Sequence, residues 1–350
     1  MKKINVAIAG FGYSSQVFHL PFLLNHSQFI IKKIYERTTS KSLKFLPYVQ
    51  IVRNFQELLT QEIDLVIITT PNQIHYEMAK QAISAGKNVL VEKPLVTTSK
   101  QAQELIQLAN QHKVILTVYQ NRRWDSPIAT AKDILYKNLI GTPVDCEIRM
   151  DRYTEEKNPK VWKETGDLGT GLVYDLGVHL LDQSVYLFGQ PDELFADIRY
   201  QHKDTLVDDN FTIHLYYHTG LKVTLNASKY AREPAPHFIL QGTKGSYIKK
   251  AIDNQENLLK KGIKPINDWN AEPPNNLGIL HTEMNRQVIR QFYPNVKTSY
   301  NAFYDNLYFA LTKNIPLAIK PEQAYYVLTL IEKAFESAKI GQKLKINTLI

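Results

Sequence analysis

This chain of 350 residues contains one cysteine, Cys146. A single thiol excludes an internal disulfide framework and fits a protein kept in a reducing cytoplasm. Cys146 lies between Val144 and Ile148 in an alternating stretch, which reads as a half-buried strand position and so as a structural thiol. No segment approaches the run of about eighteen apolar residues that a membrane span needs. Met1-Lys2-Lys3 followed by an apolar run is cut short by Asn5, Gly10 and Gly12, so it reads as a first strand and not as a secretory leader. Zinc-finger spacing, a helix-turn-helix signature and an aromatic-plus-basic RNA motif are all missing, which argues against a nucleic-acid partner. The net charge of +8 comes from Lys and Arg scattered among Asp and Glu, and implies a solvated basic surface. With 44% hydrophobic and 22% charged residues, the composition suits two domains with their own cores.

Strand and helix alternate in the first third. Ile4 to Ala9 is apolar as a strand buried on both faces is, and runs into Gly10-Phe11-Gly12-Tyr13-Ser14-Ser15. Gly10 serves a tight turn and Gly12 a close approach of backbone to a pyrophosphate. Ser15 stands where the full dinucleotide fingerprint has its third glycine. Ser14 and Ser15 offer hydroxyls to phosphate or to a helix cap.

A second strand, Phe29 to Tyr35, ends in Glu36-Arg37. Glu36 is spaced to accept the adenosine ribose hydroxyls of NAD, and Arg37 suits the 2′-phosphate of NADP. The acidic residue tips the sequence reading toward NAD, with a solvent-facing ion pair as the competing account of Arg37. Asp64 to Thr70 forms the next strand, so Thr69, Thr70, Pro71, Asn72 and His75 fall at its carboxyl end. Asn72 is a natural helix cap and Gly86 a natural helix stop. His75 is equally a capping-turn histidine.

Val89 to Val91 delivers Glu92 and Lys93 to another carboxyl end just before Pro94, where open α/β sheets bind ligands. Pro94 biases Lys93 away from helical backbone. Ser99 to His112 reads as a helix, and Val114 to Val118 as a strand leading into Asn121-Arg122-Arg123-Trp124-Asp125. Asn121 suits a nicotinamide amide and Arg123 a hydroxylated ligand. Trp124 divides between binding and anchoring a core. The alternation predicts a doubly wound parallel sheet over residues 1 to 124.

From residue 125 to 350 the pattern becomes α+β with a mostly antiparallel sheet. Hairpins are expected at His218-Thr219-Gly220 and at Gly242 to Gly245. One face of that sheet must be covered, by helices or by another subunit, which suits a homodimer or homotetramer. Pro265 to Gly278 reads as a loop, and Pro321 to Lys339 as an amphipathic final helix that would pack back on the first domain. A glycine-rich stretch from Gly166 leads into a helix starting near Leu172. Leu172, Leu176 and Leu180 share one helical face and Asp175, His179 and Asp182 another. A carboxylate beside an imidazole orients it and raises its basicity for acid-base work. An exposed ion pair is the plainer account; a metal site lacks a third ligand at suitable spacing.

Taken together, these residues resemble the family of glucose-fructose oxidoreductase, inositol dehydrogenase and MocA. Its hallmarks are a Gly-x-Gly turn, a Glu-Lys-Pro tripeptide and an Asp-x-x-x-His helix. They stand here in that order as Gly10 and Gly12, Glu92-Lys93-Pro94, and Asp175 with His179. Asn121 to Asp125 and Asp151-Arg152-Tyr153 look closest to the branch containing scyllo-inositol dehydrogenases.

The resemblance implies an NAD(P)-dependent enzyme interconverting a secondary alcohol and a ketone on a cyclic polyol or sugar; no membrane partner is expected, for want of a spanning segment. It implies a cis peptide at Lys93-Pro94. Lys93 and His179, the latter held by Asp175, would carry the proton. Arg123, Trp124, Arg152, Tyr153 and Trp162 would contact substrate. Two other readings are a nucleotide-sensing regulator without catalysis and a glycoside hydrolase that uses NAD transiently.

Overall fold

A computed structural model describes residues 2–157 and 160–346. The chain divides into two compact units. The first comprises the chain through Gln120 with Gln255–Asn270 and Tyr300–Tyr325; the second comprises Asn121–Asn254, Ala271–Ser299 and the chain from Tyr326 onward.

In the first unit, six parallel strands form one sheet: β1 (Ile4–Ala9), β2 (Phe29–Tyr35), β3 (Gln50–Val52), β4 (Leu65–Ile68), β5 (Asn88–Val91) and β6 (Leu116–Val118). Every residue of β4 is buried, as a strand covered on both faces by helices must be. The order β3-β2-β1-β4-β5-β6 reverses direction between β1 and β4. That reversal opens a crevice at the carboxyl ends of the strands, where such sheets bind ligands. β3 has three residues, too short to register as a periodic pattern.

Helices His75–Ser84 and Ser99–His112 follow β4 and β5. Thr98 starts the second of these by accepting the Gln101 N–H at 3.1 Å, which satisfies a first-turn donor. Gly86, with φ +72°, ends the first helix as expected from sequence. The helix Asn301–Lys313 closes an aromatic cluster in this unit: Phe22 stacks on Tyr304 with ring centroids 5.6 Å apart, and Phe303 meets Tyr119 edge-on at 4.9 Å. Pairs of this kind add about 0.5–1.5 kcal/mol each beyond the area they bury.

The second unit is built on a nine-stranded sheet: β7 (Pro143–Arg149), β8 (Glu193–Arg199), β9 (Asn210–Tyr216), β10 (Lys222–Ser228), β11 (Phe238–Gly242), β12 (Gly245–Lys249), β13 (Gly278–Met284), β14 (Gln287–Tyr293) and β15 (Leu344–Lys345). Its order is β14-β13-β12-β11-β7-β10-β9-β8-β15, and every pairing is antiparallel except that of β7 with β10. Both expected hairpins form, β9 with β10 and β11 with β12. Phe211, Ile213 and Leu215 alternate inward along β9, as period-2 patterning requires.

The hairpin of β13 and β14 had no sequence signal. Its two turn residues, Asn285 and Arg286, both take positive φ, +52° and +64°. A two-residue turn of this hand is usually announced by glycine at its second position, which is arginine here.

Candidate functional site

In the first unit β1 ends at a turn whose backbone needs glycine. Gly10 has φ +91°, and a Cβ there would stand 3.2 Å from Thr70 Cγ2 and 3.3 Å from Thr69 Oγ1. Beside Gly12 the situation is opposite: nothing lies within 4 Å of where its Cβ would be. The open space leaves the turn accessible to a pyrophosphate at backbone distance, so the cradle fits the group that the sequence motif implies.

Ser15, at the place of the third glycine, is fully buried. Its hydroxyl donates to the Gly10 carbonyl at 2.8 Å and lies 2.6 Å from Thr69 Oγ1. Thr69 in turn donates to the carbonyls of Ala9 and Gly10. Ser15 and Thr69 therefore stitch the turn to the end of β4. Ser14 donates to Glu92, and Tyr13 is exposed with its ring edge-on to Phe18 at 6.0 Å.

Glu36 is buried and turned inward. Its carboxylate accepts from Lys41 N at 2.8 Å, from Ser42 N at 2.9 Å, and from the hydroxyls of Ser42 and Thr39. Burial works against the charge, but these hydrogen bonds win and hold the carboxyl below its ordinary range. Four donors occupy the acceptor sites of one carboxylate. Arg37, beside it, is exposed.

At the end of β4, Asn72–Ile74 is a 3₁₀ turn and the helix starts only at His75. Asn72 is therefore one turn too early to cap that helix, and Pro71 occupies the cap of the 3₁₀ turn. His75 is fully buried, with Nδ1 3.0 Å from the Pro94 carbonyl and Nε2 2.8 Å from the Thr70 carbonyl. Burial lowers its pKa, and the neutral ring carries one N–H, so it donates to one of these two carbonyls and only faces the other.

Lys93-Pro94 is a cis peptide, as the family resemblance implied. The Lys93 N–H donates to Glu92 Oε2 at 3.0 Å, and the Lys93 side chain is half-buried. The residue that sequence reading missed is His19. It is fully buried, 2.8 Å from Glu92 Oε1 through Nε2 and 2.6 Å from Tyr304 Oη through Nδ1. Its only local signal was its place in Phe18-His19-Leu20-Pro21, between a turn and a helix.

In the second unit, Asn121–Trp124 forms a 3₁₀ turn that buries Asn121 and Arg123. Arg123 donates to Asp182 through Nε at 2.8 Å and Nη2 at 2.6 Å. Burial disfavours the guanidinium charge, but Asp182 more than compensates and raises the Arg123 pKa. Val173–Gly177 is a π turn that runs into the helix Val178–Phe188. Asp175, in the π turn, and His179, in the first turn of the helix, thus do not share an uninterrupted α-helix. His179 is buried. Asp175 Oδ1 accepts from Lys163 at 3.1 Å.

Trp162 is half-buried beneath the Lys163 ammonium, and Arg152 is exposed. Tyr153 carries the Arg232 guanidinium 3.8 Å above its ring and accepts from it through Oη at 2.7 Å. Among the described residues, no three His, Cys, Asp or Glu side chains group to hold a metal ion, and no helix is long and apolar enough to cross a membrane.

A family model described as an oxidoreductase family, NAD-binding Rossmann fold, matches residues 4–120, and its C-terminal alpha/beta domain matches residues 132–346. The scyllo-inositol 2-dehydrogenase (NADP(+)) IolW of Bacillus subtilis is 32% identical over 96% of this chain and 94% of its own length. YhhX of Escherichia coli, an uncharacterized oxidoreductase, is 35% identical over 96% of this chain and 97% of its own. The solved structure of YvaA from Bacillus subtilis superposes with a TM-score of 0.95 at 32% identity, covering 99% of both chains.

Proposed function

The chain belongs to the Gfo/Idh/MocA oxidoreductase family, and from that premise we propose that it interconverts a secondary alcohol and a ketone on a cyclic polyol or sugar. A nicotinamide dinucleotide held at the Gly10–Gly12 turn would supply or take the hydride when bound. The observation that carries this reading is the edge of the first unit's sheet: an open Gly12 turn at the end of β1 and Lys93 at the end of β5, each at a carboxyl strand end.

Lys93 and His179 hold the reacting hydroxyl and exchange its proton, with Asp175 orienting the imidazole. On oxidation one of the two accepts the proton as the hydride leaves carbon; on reduction it returns it. Gly10, Gly12, Tyr13, Ser14, Thr70, Pro71, Asn72 and Asn121 line the cofactor. Trp124, Arg152, Tyr153 and Trp162 face the substrate hydroxyls. The similarity to an inositol dehydrogenase supports a cyclic polyol.

The geometry of Glu36 supports NADP over NAD. A carboxylate already accepting from four donors has no lone pair left for ribose hydroxyls, whereas the exposed Arg37 offers a charged fork to a 2′-phosphate. The reduced cofactor's absorbance, followed with inositols, aldoses and ketoses and with each dinucleotide, tests both statements. Turnover of a cyclic polyol with NADP is the expected result; no redox change with any of these compounds would sink the reading. A second copy of the chain covers the open face of the nine-stranded sheet, where Val288 and Phe292 of β14 are exposed; a purely monomeric species in sedimentation would remove that statement.

A further inference from the structure

We propose that His19 is a positioning residue for Lys93, acting through the carboxylate of Glu92. The proposal rests on the role given to Lys93 above, and it adds a residue that no motif marks.

Glu92 is the hub. One of its oxygens, Oε2, accepts the backbone N–H of Lys93 at 3.0 Å. The other, Oε1, accepts the Ser14 hydroxyl and lies 2.8 Å from His19 Nε2. A single carboxylate therefore joins the glycine turn, the π turn Ser15–His19 and the peptide on which Lys93 is carried. The His19 ring is held from its far side by Tyr304 Oη, 2.6 Å from Nδ1, and lies 4.5 Å from the Tyr119 ring. With no exposure of its own, it has no freedom to turn away.

The charge state gives this arrangement its effect. Burial opposes ionisation of Glu92, yet the hydrogen bonds from His19 and Ser14 and the nearby charges of His19 and Lys93 hold its carboxyl down at about 2. An ionised acceptor on that side requires His19 Nε2 to be the donor. His75, Tyr119 and Tyr304 also sense the Glu92 charge, and with Ser14, His19 and Lys93 they are polar groups that surround it.

Removing the imidazole leaves a buried anion short of a partner. It then takes up a proton or swings toward another donor. Either response loosens the Lys93 peptide and removes negative charge next to its ammonium. His19 closes the π turn Ser15–His19, and such turns recur at functional sites.

The test uses the full chain with its lysines reductively methylated with ¹³C, Lys93 being assigned by Lys93→Arg, and follows the titration of Lys93 alongside steady-state kinetics. His19→Leu is expected to lower the Lys93 titration midpoint and to cut kcat by about 10- to 100-fold, the scale of a small misplacement at a reacting centre. Cofactor affinity should stay within about threefold, because the interaction lost is not a binding contact. His19→Gln, whose amide N–H can reach Glu92, should restore both the midpoint and most of kcat. A parental midpoint in His19→Leu, or His19→Gln as impaired as His19→Leu, overturns the proposal.

Should His19→Leu not fold, Tyr304→Phe releases the far side of the ring with little loss of volume; a Lys93 midpoint and kcat identical to the parent's in that variant overturn the proposal equally. The titration needs no substrate. A parent protein without hydride transfer therefore sinks the reaction assigned above, and the Lys93 midpoint still decides the role of His19.

Discussion

The side chain of Asp208 accepts the backbone N–H of Val173 at 2.7 Å, while its own carbonyl accepts that of Leu172 at 2.9 Å. These are first-turn donors that a helix cannot satisfy internally. The segment they cap carries Asp175 and His179. The approach depends on Gly171, whose φ is +90° and whose Cβ, if present, would lie 1.9 Å from Asp208 Oδ1. Gly171 thus admits a buried carboxylate.

Burial pushes the Asp208 carboxyl up to about 6, only partly offset by the Val173 and Leu172 N–H groups and by Lys229. Because the folded pKa lies above the unfolded one, the native state binds the proton more tightly. The contribution of Asp208 to stability therefore falls as pH rises from about 4 to about 6 and is flat above, against the opposite slope from His237, which burial holds down at about 4. Asp208→Asn keeps an oxygen for Val173 and should abolish the Asp208 slope, leaving the variant more stable at pH 7 by on the order of 2 kcal/mol. Urea unfolding at pH 4.5 and 7.5 reads the difference; an unchanged slope in the variant would show that another group is responsible.

Arg123 and Asp182 form a buried pair with bidentate geometry. Arg123→Met should destabilise the protein by about 3–5 kcal/mol, since it strands the Asp182 charge. Arg123→Met with Asp182→Leu should recover much of that loss. A single variant with parental melting and a raised substrate KM would instead return Arg123 to the substrate-binding role read from sequence.

Cofactor choice follows from the two residues after β2. Arg37→Ser should raise the KM for NADPH by about 10- to 100-fold, the value of one or two charge-assisted hydrogen bonds, and leave NADH within twofold. Glu36→Ala should weaken both cofactors alike, because it loosens the turn at Lys41–Lys44 that the carboxylate holds. A selective gain in NADP use by Glu36→Ala would restore Glu36 as the discriminating residue.

Lys93→Met should retain cofactor binding, measured by fluorescence titration, and lose kcat by about 10²- to 10⁴-fold, the usual contribution of a positioned acid or base. Near-parental turnover in this variant would remove Lys93 from the chemistry.

What could be read directly from the residues was whatever depends on short separations. Short, largely apolar stretches announced β1, β2, β4 and β5, and glycines at 10 and 86 marked a turn and a helix end, because backbone sterics act locally. Gly12 and Lys93 could be named for the same reason: each lies two or three residues past a recognisable strand. The hairpin at Asn285-Arg286 escaped because its turn residues lack the usual glycine, and β3 because three residues carry no period.

The sequence by itself determined the parallel sheet, the antiparallel second sheet and the strand ends at which ligand-binding residues collect, since periodicity and turn chemistry are properties of neighbouring residues. Only the tertiary structure decided what those residues face. Glu36 is turned into its own loop, Arg123 is committed to Asp182 across 59 residues, and His19 meets Tyr304 across 285. Hydrogen-bond partners so far apart are chosen by packing, which brings together side chains whose separation along the chain carries no trace of the contact.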